Sequence, residues 1–303
     1  MKSFAKAMVG LDLTAMDEII ISKVGVLAEV LGLDKVYFIH VAQDLSLPED
    51  LRRKHPDLLA PADEVIEAEL DQLIKSCQFP SSVAYEVFAE EGEPMNTVLR
   101  WAKLKDVDLL IMGRKTQLEG SGSLAKQMAQ KAPCSVLFLT ENKGFQIPKK
   151  ILLALDFSDH SNLTLTFAER LSAEMGAEVI GLHVYEIPSG HYKTGKTYEE
   201  TAEIMEGHAR NDYQNFIKKH NHPNFECLFE AKGESNEGKI IILKAQQINA
   251  DMILMGSRGR TASAAVLLGS IAEKLVQINN QVPMLIFKKK GETMSFLDAL
   301  FKI

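Results

Sequence analysis

Three cysteines and one tryptophan are all that this 303-residue chain carries of those residue types, and no two cysteines have CxxC spacing. Cys77, Cys134 and Cys227 are odd in number and far apart, so neither a disulfide framework nor a cysteine zinc site is signalled, and all three are expected to stay reduced. An excess of basic charge is missing as well. The 34 Lys plus Arg stand against 41 Asp plus Glu, a net charge of -7, which gives no electrostatic footing for holding a nucleic acid backbone. No stretch approaches the roughly 18 uninterrupted apolar residues of a membrane span, and Met1 to Lys6 carry no long apolar run behind their charges, so the expected location is the cytoplasm. There is no HExxH, the histidines are scattered, and no Ser, His and Asp group has a recognisable catalytic spacing. Specific catalysis is not written here.

What is present is ordinary globular material, 46% hydrophobic and 25% charged, in a length that suits two domains. The chain repeats itself. Asp108-Leu-Leu-Ile-Met-Gly113 recurs as Asp251-Met-Ile-Leu-Met-Gly256, an offset of 143 residues that also carries His40-Val41 onto His183-Val184. At an offset of 144, Gly10-Leu11-Asp12 falls on Ala154-Leu155-Asp156. Between the copies, the polar run from Thr140 to Lys150 with Gly144 and Pro148 reads as an exposed connection. The expected domains are therefore 1–145 and 146–290, followed by a tail over 291–303.

The second copy reads clearly as alternating strands and helices. Ile151 to Leu155 is a short all-apolar strand of the kind covered on both faces; Asp156 to Ser161 supply capping residues; Leu163, Phe167, Leu171 and Met175 make one helical face that Gly176 ends. Val179 to Val184, Phe225 to Phe229, Met252 to Met255 and Val282 to Phe287 read as further strands, with helices over Thr201 to Lys219 and Glu237 to Gln247. The fold class is α/β: two tandem Rossmann-like open parallel five-stranded sheets covered by helices. Ligands of such sheets bind beyond the carboxyl ends of the strands, where the strand order switches.

After Met255 comes Gly256-Ser-Arg-Gly259, then nine residues from Arg260 to Leu268, then Gly269-Ser270 opening a helical pattern with Ile271, Leu275 and Ile278. The spacing is G-x2-G-x9-G-S. Glycines there let backbone approach a ligand closely, and a helix amino terminus offers amides to a phosphate chain, with Arg258 adding charge beside it. The bland alternative is a tight turn plus an N-cap.

This spacing, with Asp156 on the first strand and His183-Val184 ending the second, resembles the ATP-binding universal stress proteins over nearly the whole chain, twice. The resemblance implies that the adenine is met by Asp156, with Ala154 before it, and by the backbone around Val184. It implies that ribose and phosphates lie along Met255, Gly256, Gly259, Gly269, Ser270 and Ile271, with Mg2+ or Mn2+ bound through the phosphates rather than by protein ligands. ATP is the expected nucleotide, with AMP or ADP open. The resemblance also implies that the two halves pair as a pseudo-twofold intramolecular dimer through last strands such as Cys134 to Leu139 and Val282 to Phe287, which would dispose of two exposed edges; further homodimerisation stays open. His183 recurs as His40 although the first half departs from the motif, so it tracks the fold rather than the ligand.

In the first half, Asp12, Val41, Gly113, Gly122 and Ser123 are the counterparts, but Thr116 stands where Gly259 would, and Gly120-Ser-Gly-Ser123 comes four residues early. This half is expected to be degenerate. A competing motif, Gly190-His-Tyr-Lys-Thr-Gly195-Lys196-Thr197, matches the G-x4-G-K-T phosphate loop of a large NTPase class, although Glu186 to Ser189 separate it from the strand that should feed it. Phe296, Leu297, Leu300 and Phe301 fall on one face of a potential short helix in the tail, which suits docking on the protein's own surface better than a partner or a membrane. The expected activity is nucleotide binding in the second domain, read by an unknown protein partner in a stress response, with at most slow ATP hydrolysis. A P-loop NTPase using Gly190 to Thr197 and a ligand-free scaffold are the alternatives.

Overall fold

The structure, a computed structural model, describes residues 2–45, 62–115, 121–141, 146–233, 235–259 and 268–290. Thr116, Gly120, the connection over 142–145 and the tail over 291–303 lie outside the described residues.

In the first repeat, β1 (Lys6–Leu11), α1 (Met16–Leu31), β2 (Lys35–Ala42), α2 (Ala62–Ser76), β3 (Ala84–Glu91), α3 (Pro94–Leu104), β4 (Leu109–Arg114), α4 (Ser121–Lys131) and β5 (Ser135–Thr140) follow one another. The strands run parallel in the order β3-β2-β1-β4-β5. The second repeat has the same plan: β6 (Lys150–Ala154), α5 (Asp159–Met175), β7 (Glu178–Tyr185), α6 (Tyr198–His220), β8 (Cys227–Ala231), α7 (Glu237–Gln247), β9 (Met252–Gly256), α8 (Ser270–Ile278) and β10 (Met284–Phe287). Its parallel order is β10-β9-β6-β7-β8. The first strand of each repeat is thus flanked by the second and the fourth, and the chain leaves it on the side where the order switches. Asp12 and Asp156 stand just past those two switch points.

The apolar runs become central strands because only a strand buried on both faces accepts them: Ile151, Leu152 and Leu153 have no exposure, and β5 is buried at every position. Gly32 and Gly176 end α1 and α5 in the left-handed region, at φ 59° and 62°, as the sequence expectation for Gly176 requires.

Two compact units emerge, and their division departs from a cut at 145/146: Gln146 and Ile147 stay with the first unit, α4 as far as Gln130 groups with the second, and Lys290 groups with the first. Side chains account for this. Gly122 lies so close to α8 that a Cβ there would come within 2.4 Å of the Gln277 carbonyl. Glu273 of α8 accepts from Gln130 Nε2 at 2.6 Å and pairs with Lys126 at 2.9 Å, and Lys288 donates to the Gln130 carbonyl at 3.0 Å.

Each repeat also pins the amino end of its first strand with an aspartate that leads into its fourth. Asp251 accepts the amides of Lys149 and Lys150 at 2.8 and 2.9 Å. Asp108 accepts those of Ala5 and Lys6, both at 2.9 Å, and pairs with Lys290 at 2.9 Å. Burial pushes the Asp108 carboxyl up, but Lys290 and the two amides outweigh it and hold the carboxyl below its ordinary 3.8. A depressed folded value means that the contribution is present above the unfolded value and is lost as pH falls through the folded one. Asp108→Ala is expected to destabilise the protein at neutral pH by about 1.5–3 kcal/mol, the range for hydrogen bonds to a charged group. Denaturant titrations of both proteins should show that gap closing as the pH drops below the unfolded value of about 4.

Candidate functional site

The turn leaving β6 is held by three successive hydrogen bonds. His183 Nδ1 donates to the Leu155 carbonyl at 2.8 Å, which fixes the proton on that nitrogen because a carbonyl can only accept. The Asp156 amide donates to the Ser161 hydroxyl at 3.0 Å, and the Ser158 amide to Asp156 Oδ1 at 3.0 Å. Between them Phe157 takes a left-handed φ of 62° and stacks on the His183 ring at 4.3 Å between centroids. The N-cap of α5 is Ser158, whose hydroxyl accepts the Ser161 amide at 3.2 Å. Asp156 is therefore not the cap. Its carboxylate closes the turn through one oxygen while the other, Oδ2, faces the glycine loop.

That loop leaves β9 at Gly256, where Ala154 and Met255 are cross-strand neighbours. Gly256 needs its missing side chain, since a Cβ would come within 2.6 Å of Thr164 Oγ1 on α5. Gly259 needs it too: a Cβ would lie 2.5 Å from Asp156 Oδ2. The two ends of the loop meet where the Gly269 amide donates to the Ser257 carbonyl at 2.8 Å, and the Ser257 amide donates to the Phe287 carbonyl at 2.9 Å. Gly269 is the N-cap of α8 with no side chain over the first turn, followed by the exposed Ser270 and the half-buried Ile271. A Cβ at Gly269 would have only ordinary contacts, 3.7 Å from the Gly259 amide and 3.9 Å from Arg258 Cα. So Ala154, Asp156, Met255, Gly256, Arg258, Gly259, Gly269 and, through α8, Ser270 and Ile271 share one edge of one sheet.

Val184 reaches the same place through the backbone. Gly181 and Tyr185 exchange hydrogen bonds with the β8 side, and Leu182 accepts the Leu155 amide on the β6 side. The two-residue alternation of a strand turns Val184 the way Leu182 turns, one step past the last β6 bond and beside Asp156.

The first unit repeats the scaffold with different chemistry. His40 Nδ1 donates to the Leu11 carbonyl at 3.1 Å, and Leu13 is left-handed at φ 58°, matching His183 and Phe157. Yet Asp12 turns outward: Oδ1 accepts from the Thr14 hydroxyl at 2.6 Å and Oδ2 pairs with Lys115 at 2.5 Å. Burial pulls the Asp12 carboxyl upward, but Lys115 and Thr14 hold it below its ordinary value. A Cβ on Gly10 would come within 2.8 Å of Met112 Sδ, so methionine covers the strand where Ala154 has its counterpart. Gly113 is pressed on Ile20 of α1, Val41 is buried in β2, and Gly122 and Ser123 lie within α4, one packed on Gln277 and the other exposed. Ser158 and Ser161 stand in the sequence only as members of the capping run from Asp156 to Ser161, and Thr164 and Lys115 carry no motif at all. Aligning the halves at the 144-residue offset pairs Ser161 with Asp17, which is the signal that could have found it.

The competing loop has a different form. Gly190 and Gly195 flank a single 3-10 turn, His191–Thr194, and Gly195 has φ 73°. Thr197 is the N-cap of α6 in a capping box: its hydroxyl accepts the Glu200 amide at 3.1 Å and its amide donates to Glu200 Oε2 at 2.8 Å. The hydroxyl that a phosphate loop turns to its cation is occupied in the helix cap.

A profile of the Universal stress protein family matches residues 4–139 and again residues 148–288. This chain belongs to that family. Universal stress protein MJ0531 of Methanocaldococcus jannaschii is 30% identical over 149 residues, covering 48% of this chain and 85% of its own length. Among solved structures, a putative universal stress protein from Pseudomonas aeruginosa superposes with a TM-score of 0.69 at 15% identity, over 99% of this chain and 98% of that one. A universal stress protein from Archaeoglobus fulgidus does so with a TM-score of 0.61 at 17% identity, over 96% and 98%. These likenesses show the fold of two tandem universal stress protein domains.

The close approach of β9 to α5 gives a direct test of the site's packing. Gly256→Ala is expected to cost about 1–3 kcal/mol by overpacking against Thr164, and Thr164→Ala in the same chain to return most of that loss. Denaturation of the two single variants and the double variant would show the coupling; additive effects would contradict the contact.

Proposed function

We propose that the second unit binds an adenine nucleotide, ATP before AMP or ADP, and that the protein acts in a stress response through the occupancy of this site. The observation that supports it most is the seating of Gly259 against Asp156 Oδ2, with Gly269 closing the loop onto Ser257. This sets an acceptor for an exocyclic amine, glycine backbone for a ribose and phosphate chain, and a helix amino terminus side by side. A group of atoms with that order of polarity, amine at one end and polyanion at the other, fits the residues present.

In this reading Asp156 and the Val184 peptide read the base, and Met255, Gly256 and Gly259 line the sugar and α-phosphate. The amides of Gly269, Ser270 and Ile271 meet the outer phosphates, with Arg258 adding positive charge. A divalent cation, Mg2+ or Mn2+, would be carried by the phosphates and neutralise part of their charge. Among the described residues no group of three or more His, Cys, Asp and Glu could hold a metal. The first unit, with Asp12 paired to Lys115 and Met112 over Gly10, works as a partner domain rather than a second nucleotide site. No helix of the described residues is long and apolar enough to cross a membrane. A protein partner that senses the loaded second unit is the expected output, with hydrolysis slow at most.

Equilibrium binding of ATP with Mg2+ to two variants separates this reading from the P-loop alternative. Gly259→Val, which forces the loop off Asp156, is expected to weaken ATP by at least about tenfold, the effect of 1.4 kcal/mol. Lys196→Ala is expected to leave affinity unchanged. The opposite pattern would move the site to Gly190–Thr197, and indifference to both would leave a scaffold.

A further inference from the structure

We infer that a three-ring cage on the first unit, formed by Tyr37, Phe88 and Trp101, binds a zwitterionic quaternary ammonium compound of the betaine class, with Lys105 as its exchangeable internal occupant. This goes beyond the nucleotide reading and does not depend on it. Tyr37 of β2, Phe88 of the edge strand β3 and Trp101 of α3 lie against one another. Tyr37 and Phe88 stack at 6.1 Å between ring centroids, and Phe88 and Trp101 at 4.8 Å. The ammonium of Lys105, the C-cap of α3, sits over all three rings, 5.3 Å from Tyr37, 4.7 Å from Phe88 and 5.2 Å from Trp101. Each distance lies within the roughly 6 Å over which the negative face of a ring attracts a cation. A single ring suffices for a lysine that only covers apolar surface, whereas several rings round one ammonium form the kind of cage that recognises quaternary ammonium groups. Lys105 thus shows which charge the rings take.

That occupant is held loosely. Its side chain is 28% exposed, and its one ion pair among the described residues is a long one, 3.4 Å to Glu86 Oε2. Lys35 pairs with the other oxygen of Glu86 and lies 5.2 Å from the Tyr37 ring. The two lysines hold the Glu86 carboxyl below its ordinary value, so it stays negative. A lysine ammonium is a strongly hydrated point charge, and a trimethylammonium group, with no N–H to hydrate, gives up less water on entering the rings. Two lysines against one glutamate leave these contacts with surplus positive charge, which a bare cation would increase. A ligand that carries its own carboxylate instead gives the displaced Lys105 ammonium a partner. The Trp101 indole nitrogen is shielded from solvent and has no hydrogen-bond partner among the described residues, an unsatisfied donor that calls for an acceptor from outside the chain.

The full chain supplies its own reporter, because Trp101 is its single tryptophan. Its emission is followed during titration with glycine betaine, with tert-butylacetate, in which carbon replaces the charged nitrogen, and with choline, which lacks the carboxylate. The wild type is expected to saturate with glycine betaine in the millimolar range and to prefer it to each of the other two by about tenfold or more, the size of a desolvated contact between a cation and a ring. Lys105→Ala removes both the internal occupant and the partner of the carboxylate. It should bind choline more tightly than the wild type does and cut the preference for betaine over choline to less than about threefold. Phe88→Leu, with the circular dichroism of the wild type, should weaken betaine by about tenfold or more. A wild type that does not respond to betaine up to about 0.1 M, or that binds tert-butylacetate equally well, would overturn the inference and leave Lys105 a packing contact. An unchanged affinity for choline in Lys105→Ala would overturn it as well, and this surface variant decides the matter should Phe88→Leu fail to fold.

Discussion

The turn from Leu155 to Ser161 is the constraint on which the rest of the second unit's carboxyl edge depends. A strand buried on both faces must end abruptly if its last side chain is to face a crevice instead of the core. Here the ending is made by an imidazole on the Leu155 carbonyl, a left-handed Phe157 and a serine-capped helix. A left-handed bulky residue is unfavourable by itself and persists where its surroundings over-determine it. Phe157 has such surroundings, stacked on His183 and flanked by the rings of Tyr213 at 6.0 Å and Phe216 at 5.6 Å. The glycine loop from β9 is then shaped around the carboxylate that this turn presents.

The two repeats show which parts of that design belong to the fold and which to the site. The histidine bonded to the carbonyl, the left-handed residue and the aspartate that pins the first strand are present in both units, though the surrounding polar chemistry has diverged. What differs is the direction of the carboxylate and what meets it: Ser158, Ser161 and Gly259 in one unit, Thr14 and Lys115 in the other. A paired lysine satisfies part of the Asp12 carboxylate without any ligand. The first unit keeps the architecture and ties its carboxylate into an ion pair with Lys115.

Much of the fold was legible because the repeat and the short apolar runs each had a single physical solution. The 143-residue offset located equivalent strands, the buried runs at Ile151 and Met252 could only be covered parallel strands, and Gly176 could only end a helix. The glycine spacing pointed to the carboxyl edge of the second unit's sheet, where Gly256 and Gly259 leave β9 and Gly269 returns to Ser257. The sequence was silent on side-chain direction: nothing in Asp12 and Asp156, read singly, says that one carboxylate turns outward and the other is fastened inward. It was equally silent on α4, whose amphipathic pattern does not name the surface it packs on; the close approach of Gly122 to the Gln277 carbonyl settles that. The phosphate-loop match at Gly190 was a pattern without its context, and the capping box at Thr197 shows what those residues do in place.

The central claim is that one unit of this tandem universal stress protein holds an adenine nucleotide and the other does not. The small-molecule content of the freshly purified full chain, released by acid and identified by ion-exchange chromatography and mass spectrometry, followed by saturation with ATP and Mg2+, tests it most directly. The account predicts an adenine nucleotide at saturation in a ratio of about one per chain. Two per chain would contradict the closure of the first unit by Lys115, and a chain that neither carries nor takes up nucleotide would contradict the site as a whole.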